Sequence, residues 1–390
     1  MTHGRDGFSL AHRAALMIAN ARRTFLTVTS AAVIATLALA GVSHAGGFDE
    51  LAVLNFGAGP ASIAGLCLNC NIAVFKAGGL RNQAPIVNIT GTAEGGGIFT
   101  LSGATAISTS TTGALYVSSG ILSAVEAYAP NADGAAGPVV FIPASATVPI
   151  SLPEGIGFIG SGGGALDGAF YVAQFTGGPA GVPAADIGSV ILFPADAGTS
   201  LNPVGTPIGV LDNVAVCTAI KSPTNTELFL PVGVATDSKG NVYVANAGDA
   251  AVPVPSYVTE YAVGVTGCPS PINFIGAGTL GSANGVAVDG TGNIWVSDLG
   301  LNTIWEFSPA GKVITEIAGK TTQLVSPMGI ALSPVQLLAG VDDLYVANSA
   351  RGSVLLFEDV SDAGLINIKP FQALRGKKTK LTIPIGVAPL

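Results

Sequence analysis

Few residues in this chain can do acid–base or metal chemistry, and where they lie narrows the options. Among 390 residues there are three histidines, His3, His12 and His44, all before position 46. Imidazole is the usual general base near neutral pH and the commonest zinc ligand. Beyond position 45, His-based triads, His-ligated zinc and an imidazole base are therefore excluded together. Carboxylates remain. Glu154 stands in Pro153-Glu-Gly155, at a position where comparable segments carry Val232, Asn284, Met328 and Ile385. It reads either as a solvated acid at a channel mouth or as an oxygen ligand for a hard cation. Asp237-Ser-Lys-Gly-Asn241 and Asp289-Gly-Thr-Gly-Asn293 look superficially like calcium loops. Both are too short and lack the terminal acid. They read as turns in which Asp accepts backbone amides and Gly takes positive φ.

The four cysteines, Cys67, Cys70, Cys217 and Cys268, are an even set. In an oxidising compartment that implies disulfides. Cys67-Leu-Asn-Cys70 has the spacing of a redox pair, but it sits in a strand connection and not at a helix N-terminus. A local structural bridge is the expectation. Cys217 and Cys268 are expected to pair between neighbouring structural units.

The compartment follows from the N-terminus. Arg22-Arg23 precede an apolar run, Phe25 to Val42, and Ser43-His44-Ala45 has small residues where a signal peptidase reads. Residues 1–45 read as an export signal cleaved after Ala45. Twin-arginine and ordinary secretory types both stay open. A secreted or periplasmic location is expected, with no transmembrane segment after cleavage. The signal holds four of the 16 basic and one of the 24 acidic residues. That leaves 12 and 23, a net charge of −11. Such a surface excludes nucleic acid, whose phosphates need a basic face. Five of those 12 cations, Lys369, Arg375, Lys377, Lys378 and Lys380, cluster near the C-terminus. They read as a solvated loop or as a dock for an anionic polymer or lipid surface.

The elements that must position these groups are short strands in a repeat. One strand type has a branched residue second and an aromatic fifth. It ends at Phe75, Tyr128, Phe193, Tyr261, Phe307 and Phe357. The strand before it ends at a polar residue each time: Asn55, Ser119, Gln174, Asn246, Asp298 and Asn348. These six would form a polar ring at one mouth of a channel, or cap their own turns. A first strand of form P-x-G-[IV]-[AG] precedes them, degenerate around 104–109. A weaker outer strand is placed near Ile86, Val139, Val214, Ile272 and Val313. Six four-stranded units define an all-β, six-bladed β-propeller of antiparallel blades. Asp49–Asn55 begins at a second strand and the C-terminus supplies a first strand, so both termini close the last blade and leave no free edge.

The best-formed units, Pro231–Tyr261 and Asn284–Phe307, resemble NHL-repeat propellers, and residues 46–390 are read as one such domain. The third unit departs through the insertions Gly160–Gly168 and Gly177–Gly188. The resemblance implies a binding or scaffold module for a protein or carbohydrate partner, with long loops presenting the surface. A more distant similarity to sugar-lactonase-like propellers implies an alternative: a metal-dependent hydrolase in which Glu154, Asn246 and Asp298 hold calcium.

Overall fold

The computed structural model describes residues 50–56, 70–76, 81–91, 100–175, 188–200, 202–219, 222, 226–248, 254–333, 343–358 and 364–390. Residues 1–45, Cys67, the stretch 177–187 and residues 249–253 lie outside that set. Strands dominate: six antiparallel four-stranded sheets, one with a fifth strand added, arranged as blades of a ring. The first blade is β1 (Glu50–Phe56), β2 (Asn71–Lys76) and β3 (Val87–Ile89), completed by β25 (Ile383–Pro389) from the C-terminus. The second is β4 (Ala104–Thr109), β5 (Leu115–Ser119), β6 (Ala124–Tyr128) and β7 (Val140–Pro143). The third is β8 (Pro153–Phe158), β9 (Phe170–Gln174), β10 (Ser189–Phe193) and β11 (Gly209–Leu211). The fourth is β12 (Pro231–Thr236), β13 (Val242–Asn246), β14 (Tyr257–Tyr261) and β15 (Asn273–Ile275). The fifth is β16 (Ala283–Val288), β17 (Ile294–Asp298), β18 (Thr303–Phe307) and β19 (Val313–Ile317). The sixth is β20 (Pro327–Ser333), β21 (Asp343–Asn348), β22 (Ser353–Phe357) and β24 (Gln372–Leu374). Among the described residues no helix is long and apolar enough to cross a membrane.

The inner strands β25, β4, β8, β12, β16 and β20 contact one another in that order, and β20 returns to β25. The P-x-G motif is explained here. In each blade the register between first and second strand shifts near this motif, a bulge that bends the inner strand. A Cβ on Gly155 would lie 2.6 Å from the Val232 carbonyl of the next blade, and one on Gly233 2.3 Å from that of Asn284. Only glycine lets neighbouring inner strands approach so closely. Between the blades, the third-strand aromatics Phe75, Tyr128, Phe193, Tyr261, Phe307 and Phe357 are fully buried. Burial contributes about 1.5–3 kcal/mol for each such side chain.

The expected outer strands near Ile86, Val139, Ile272 and Val313 are present. The third blade requires a correction. Val214–Ala219 is a short helix, α1, in the connection to the fourth blade. Asn213 caps it: its side-chain oxygen accepts the Val216 amide at 2.9 Å. The true outer strand, β11, lies just upstream. A motif missed in the sequence marks it. Pro85-Ile-Val-Asn-Ile89, Pro138-Val-Val-Phe-Ile142, Pro207-Ile-Gly-Val-Leu211, Pro271-Ile-Asn-Phe-Ile275 and Pro370-Phe-Gln-Ala-Leu374 share the form P-[IVF]-x-x-[IL]. The final residue is buried and the one after Pro faces outward.

Each outer strand or the turn after it is overlapped by the following blade. The link between third and fourth strands does this each time. Gly134 pairs in parallel with Ile89, donating to Asn88 O and accepting from Thr90 N. Gly198 and Gly205 lie against Ile142. Gly267 pairs with Leu211, and Gly311 packs on Phe274 O. In the sixth blade the link becomes a strand, β23 (Gly364–Ile366), parallel to β19. Asn82 of the first blade reaches the turn after β24. These overlaps cover sheet edges that would otherwise offer unpaired backbone groups.

The Cys217–Cys268 disulfide ties α1 to the link that carries Gly267, with Cα atoms 5.7 Å apart. It joins the third blade's exit to the fourth, as expected between neighbouring units. Cys70 is disulfide-bonded.

Candidate binding site

The six polar residues that end the second strands are all buried, and five of them share one task. Asn55 Oδ1 accepts the amides of Thr382 and Ile383 at 2.9 and 3.1 Å. Gln174 Oε1 accepts Ser151 N at 2.9 Å. Asn246 Oδ1 accepts Phe229 N at 2.9 Å. Asp298 Oδ2 accepts Gly281 N at 2.7 Å, while Oδ1 accepts Ser282 N and Leu301 N, each at 3.0 Å. Asn348 Oδ1 accepts Val325 N at 2.6 Å. Ser119 differs, donating to Ser102 O at 2.6 Å. These side chains latch the connection that enters the first strand of their own blade. Only Asp298 also caps its own turn, through Leu301. A latch of this kind satisfies amides that the bend leaves without a ladder partner.

Glu154 is 4% exposed, at the second position of β8. Thr105, Val232, Asn284, Met328 and Ile385 occupy the same position in the other inner strands, all buried. Glu154, Asn246 and Asp298 thus come from the third, fourth and fifth blades. A hard cation takes six to eight oxygen ligands. Asp298 and Asn246 already direct their oxygens to backbone amides. Among the described residues no three Asp, Glu, Cys or His side chains converge on a metal position.

The two Asp-Gly-Asn turns fold as turns. Asp289 Oδ1 accepts the amides of Thr291 and Asn293 at 2.8 and 2.9 Å. Asp237 Oδ1 accepts those of Lys239 and Asn241 at 2.8 and 2.9 Å. Each acid sits beside a glutamate from the third strand. Burial, together with the Asp237 charge, raises Glu260 above the ordinary carboxylate range. Burial and the Asp289 charge do the same for Glu306, despite an Asn293 hydrogen bond of 3.0 Å. Tyr243, facing Glu260 across the strand pair, is pushed well above the usual phenol range by burial and then by that carboxylate. Trp295 replaces it opposite Glu306 and donates weakly to Asp289, at 3.4 Å.

A cluster of basic and amide side chains lies elsewhere, where the sixth blade meets the first. A pocket of about 330 Å³ is lined by Arg81, Asn82, Gln323, Gln372, Phe371, Lys369 and Arg375, with Pro370 and Ala373. Three segments build it: the link after β2, the turn before β20, and the approach to β24. Arg375 donates to Gln323 Oε1 at 2.9 Å, which fixes the guanidinium across the pocket. Asn82 holds the Lys378 amide at 2.9 Å. Of the five clustered cations, Lys369 and Arg375 line the pocket, while exposed Lys377, Lys378 and Lys380 extend from it. Arg81 and Gln323 are not legible as site residues in the sequence, because each lies far along the chain from the basic run.

By ring closure and blade count the chain is a six-bladed β-propeller, a class that hosts many unrelated activities. A solved protein of unknown function from Bacteroides caccae is similar in fold, with a TM-score of 0.51 at 14% identity, over 88% of this chain and 98% of that one. A gluconolactonase from Xanthomonas campestris gives a TM-score of 0.41 at 16% identity, over 63% of this chain and 69% of that one. No family model and no curated protein sequence matches the chain.

Proposed function

We propose that this is an exported, NHL-like propeller that acts outside the cytoplasm as a binding module for a carbohydrate or protein partner. One observation carries the reading. The polar ring at the strand ends is engaged inside the fold, whereas three cations, Arg81, Lys369 and Arg375, line an open rim pocket that no acid lines. A surface that concentrates donors without a nucleophile or general base beside them is suited to holding a ligand and not to transforming it. The N-terminal segment, with its arginine pair, apolar run and Ser-His-Ala end, supports an extracytoplasmic site of action.

The test is retention. Immobilised protein is exposed to a panel of extracellular polysaccharides and to a mixture of exported proteins. Saturable retention of one partner is expected. Failure to retain any of them, together with turnover of a lactone substrate, overturns the reading in favour of a hydrolase.

A further inference from the structure

Resting on the binding-module reading, we infer that the rim pocket at the closing seam takes the charged residue of an acidic polysaccharide, a carboxylated sugar of the uronate kind. The chemistry of the lining selects this class. Arg81, Lys369 and Arg375 are cationic and no acid lines the pocket. The protein as a whole carries a formal charge of −8. An anion is thus disfavoured by the net charge of the body and favoured at this basic concavity. Arg375 spends one donor on Gln323. A guanidinium has five, and the remaining edge matches a carboxylate in two-point fashion.

A simple anion needs nothing more, but the pocket offers more. Phe371 is 59% exposed. At the corresponding rim position the other Pro-marked outer strands carry the aliphatic residues Ile86, Val139, Ile208 and Ile272. The sixth blade alone presents an aromatic plate there, and its electron-rich face suits the C–H face of a sugar ring. Gln372 lines the same pocket beside Phe371. About 330 Å³ is at the small end of ligand pockets, which fits one charged sugar of a longer chain. Lys377, Lys378 and Lys380 continue from the pocket as exposed cations along the path of further charged residues. An anionic membrane is a poorer match, because the pocket is concave, holds one aromatic and sits on an acidic body.

Calorimetric titration of the purified protein with trigalacturonate tests this, against its methyl ester and inorganic phosphate. Trigalacturonate is expected to bind, more weakly as salt rises, and at least tenfold more tightly than either control. Arg375→Ala and Phe371→Ala, both at exposed positions, are each expected to weaken binding tenfold or more with the melting temperature unchanged. Phosphate binding as well as trigalacturonate overturns the sugar assignment and leaves a plain anion site. No binding of trigalacturonate by folded protein overturns the site itself. If another polysaccharide or protein is retained regardless of Arg375→Ala, the binding-module reading survives the loss of this site. If nothing is retained, both fall.

Discussion

The side-chain oxygen of Asn82 accepts the backbone amide of Lys378 at 2.9 Å, joining residues 296 apart in sequence. That bond and the β25–β1 pairing both belong to the seam that closes the ring. Gly376 makes room for the contact: a Cβ there would lie 2.7 Å from the Asn82 side chain. Asn82→Ala is expected to lower unfolding free energy by about 0.5–1.5 kcal/mol, the net worth of one such bond. It is also expected to loosen the Arg81 side of the rim pocket. Urea unfolding reads the first effect, and titration with an acidic trisaccharide the second.

Asp298 serves three backbone amides from a buried position. Asp298→Ala removes three bonds to amides at the part-exposed rim and is expected to cost about 1.5–4.5 kcal/mol, at a net worth of about 0.5–1.5 kcal/mol each. Asn348→Ala removes one such bond to an amide and is expected to cost less. Adding calcium is expected to shift the melting temperature of neither the parent protein nor Glu154→Ala. A calcium-dependent rise that vanishes in Glu154→Ala would restore the metal reading.

The Cys217–Cys268 bridge closes a loop of 51 residues. Constraint of the unfolded chain by a loop of that length is worth about 4 kcal/mol. Replacing both cysteines by alanine is expected to lower stability by that order, and also to free the link carrying Gly267 from β11. Chemical denaturation gives the first. Faster amide exchange at Gly267 and Asp212, which share the bridge to β11, gives the second.

Burial and the Asp289 charge raise Glu306 above its ordinary value of 4.5. The folded protein therefore binds more protons than the unfolded chain between 4.5 and the raised value. Stability falls as pH rises through that window. Glu306→Gln removes the penalty. Its melting temperature is expected to exceed that of the parent by more at pH 7 than at pH 4. A gap that shrinks as pH rises would reverse the sign and refute the account.

Much of the fold was legible because its inner three strands obey strong local rules. The bulge needs P-x-G, the core needs the third-strand aromatic, and the turn needs Asp and Gly. Even β4, with Ala106 in place of the usual glycine, falls at 104–109 where it was expected. The outer strands were harder. Three or four paired residues leave little hydrophobic pattern, and the run Val214-Ala-Val216 mimics a strand while Asn213 turns it into a helix. The informative signal was the preceding proline. The polar ring was legible as a set but not in its role, because its partners lie in the connections 16 to 23 residues upstream, or across the termini. The pocket was half visible as a basic run. Its other half is brought by Arg81 and Gln323, which only ring closure carries to it.

The overlap of each outer strand by the following blade has a direction in time. As the chain is made from its N-terminus, β3 waits only for residue 134, Leu211 for residue 267, and β19 for residues 364–366. Every blade but the last is sealed by what is synthesised next, so docking proceeds as a one-way series of short-range steps. The exception is the seam. Asn82 and the inner edge of β1 wait for residues 378–389 to arrive from the far end, although β1 pairs with β2 on its other edge. The rim pocket, built from residues 81–82, 323, 369–373 and 375, is complete only when the two ends of the ring meet.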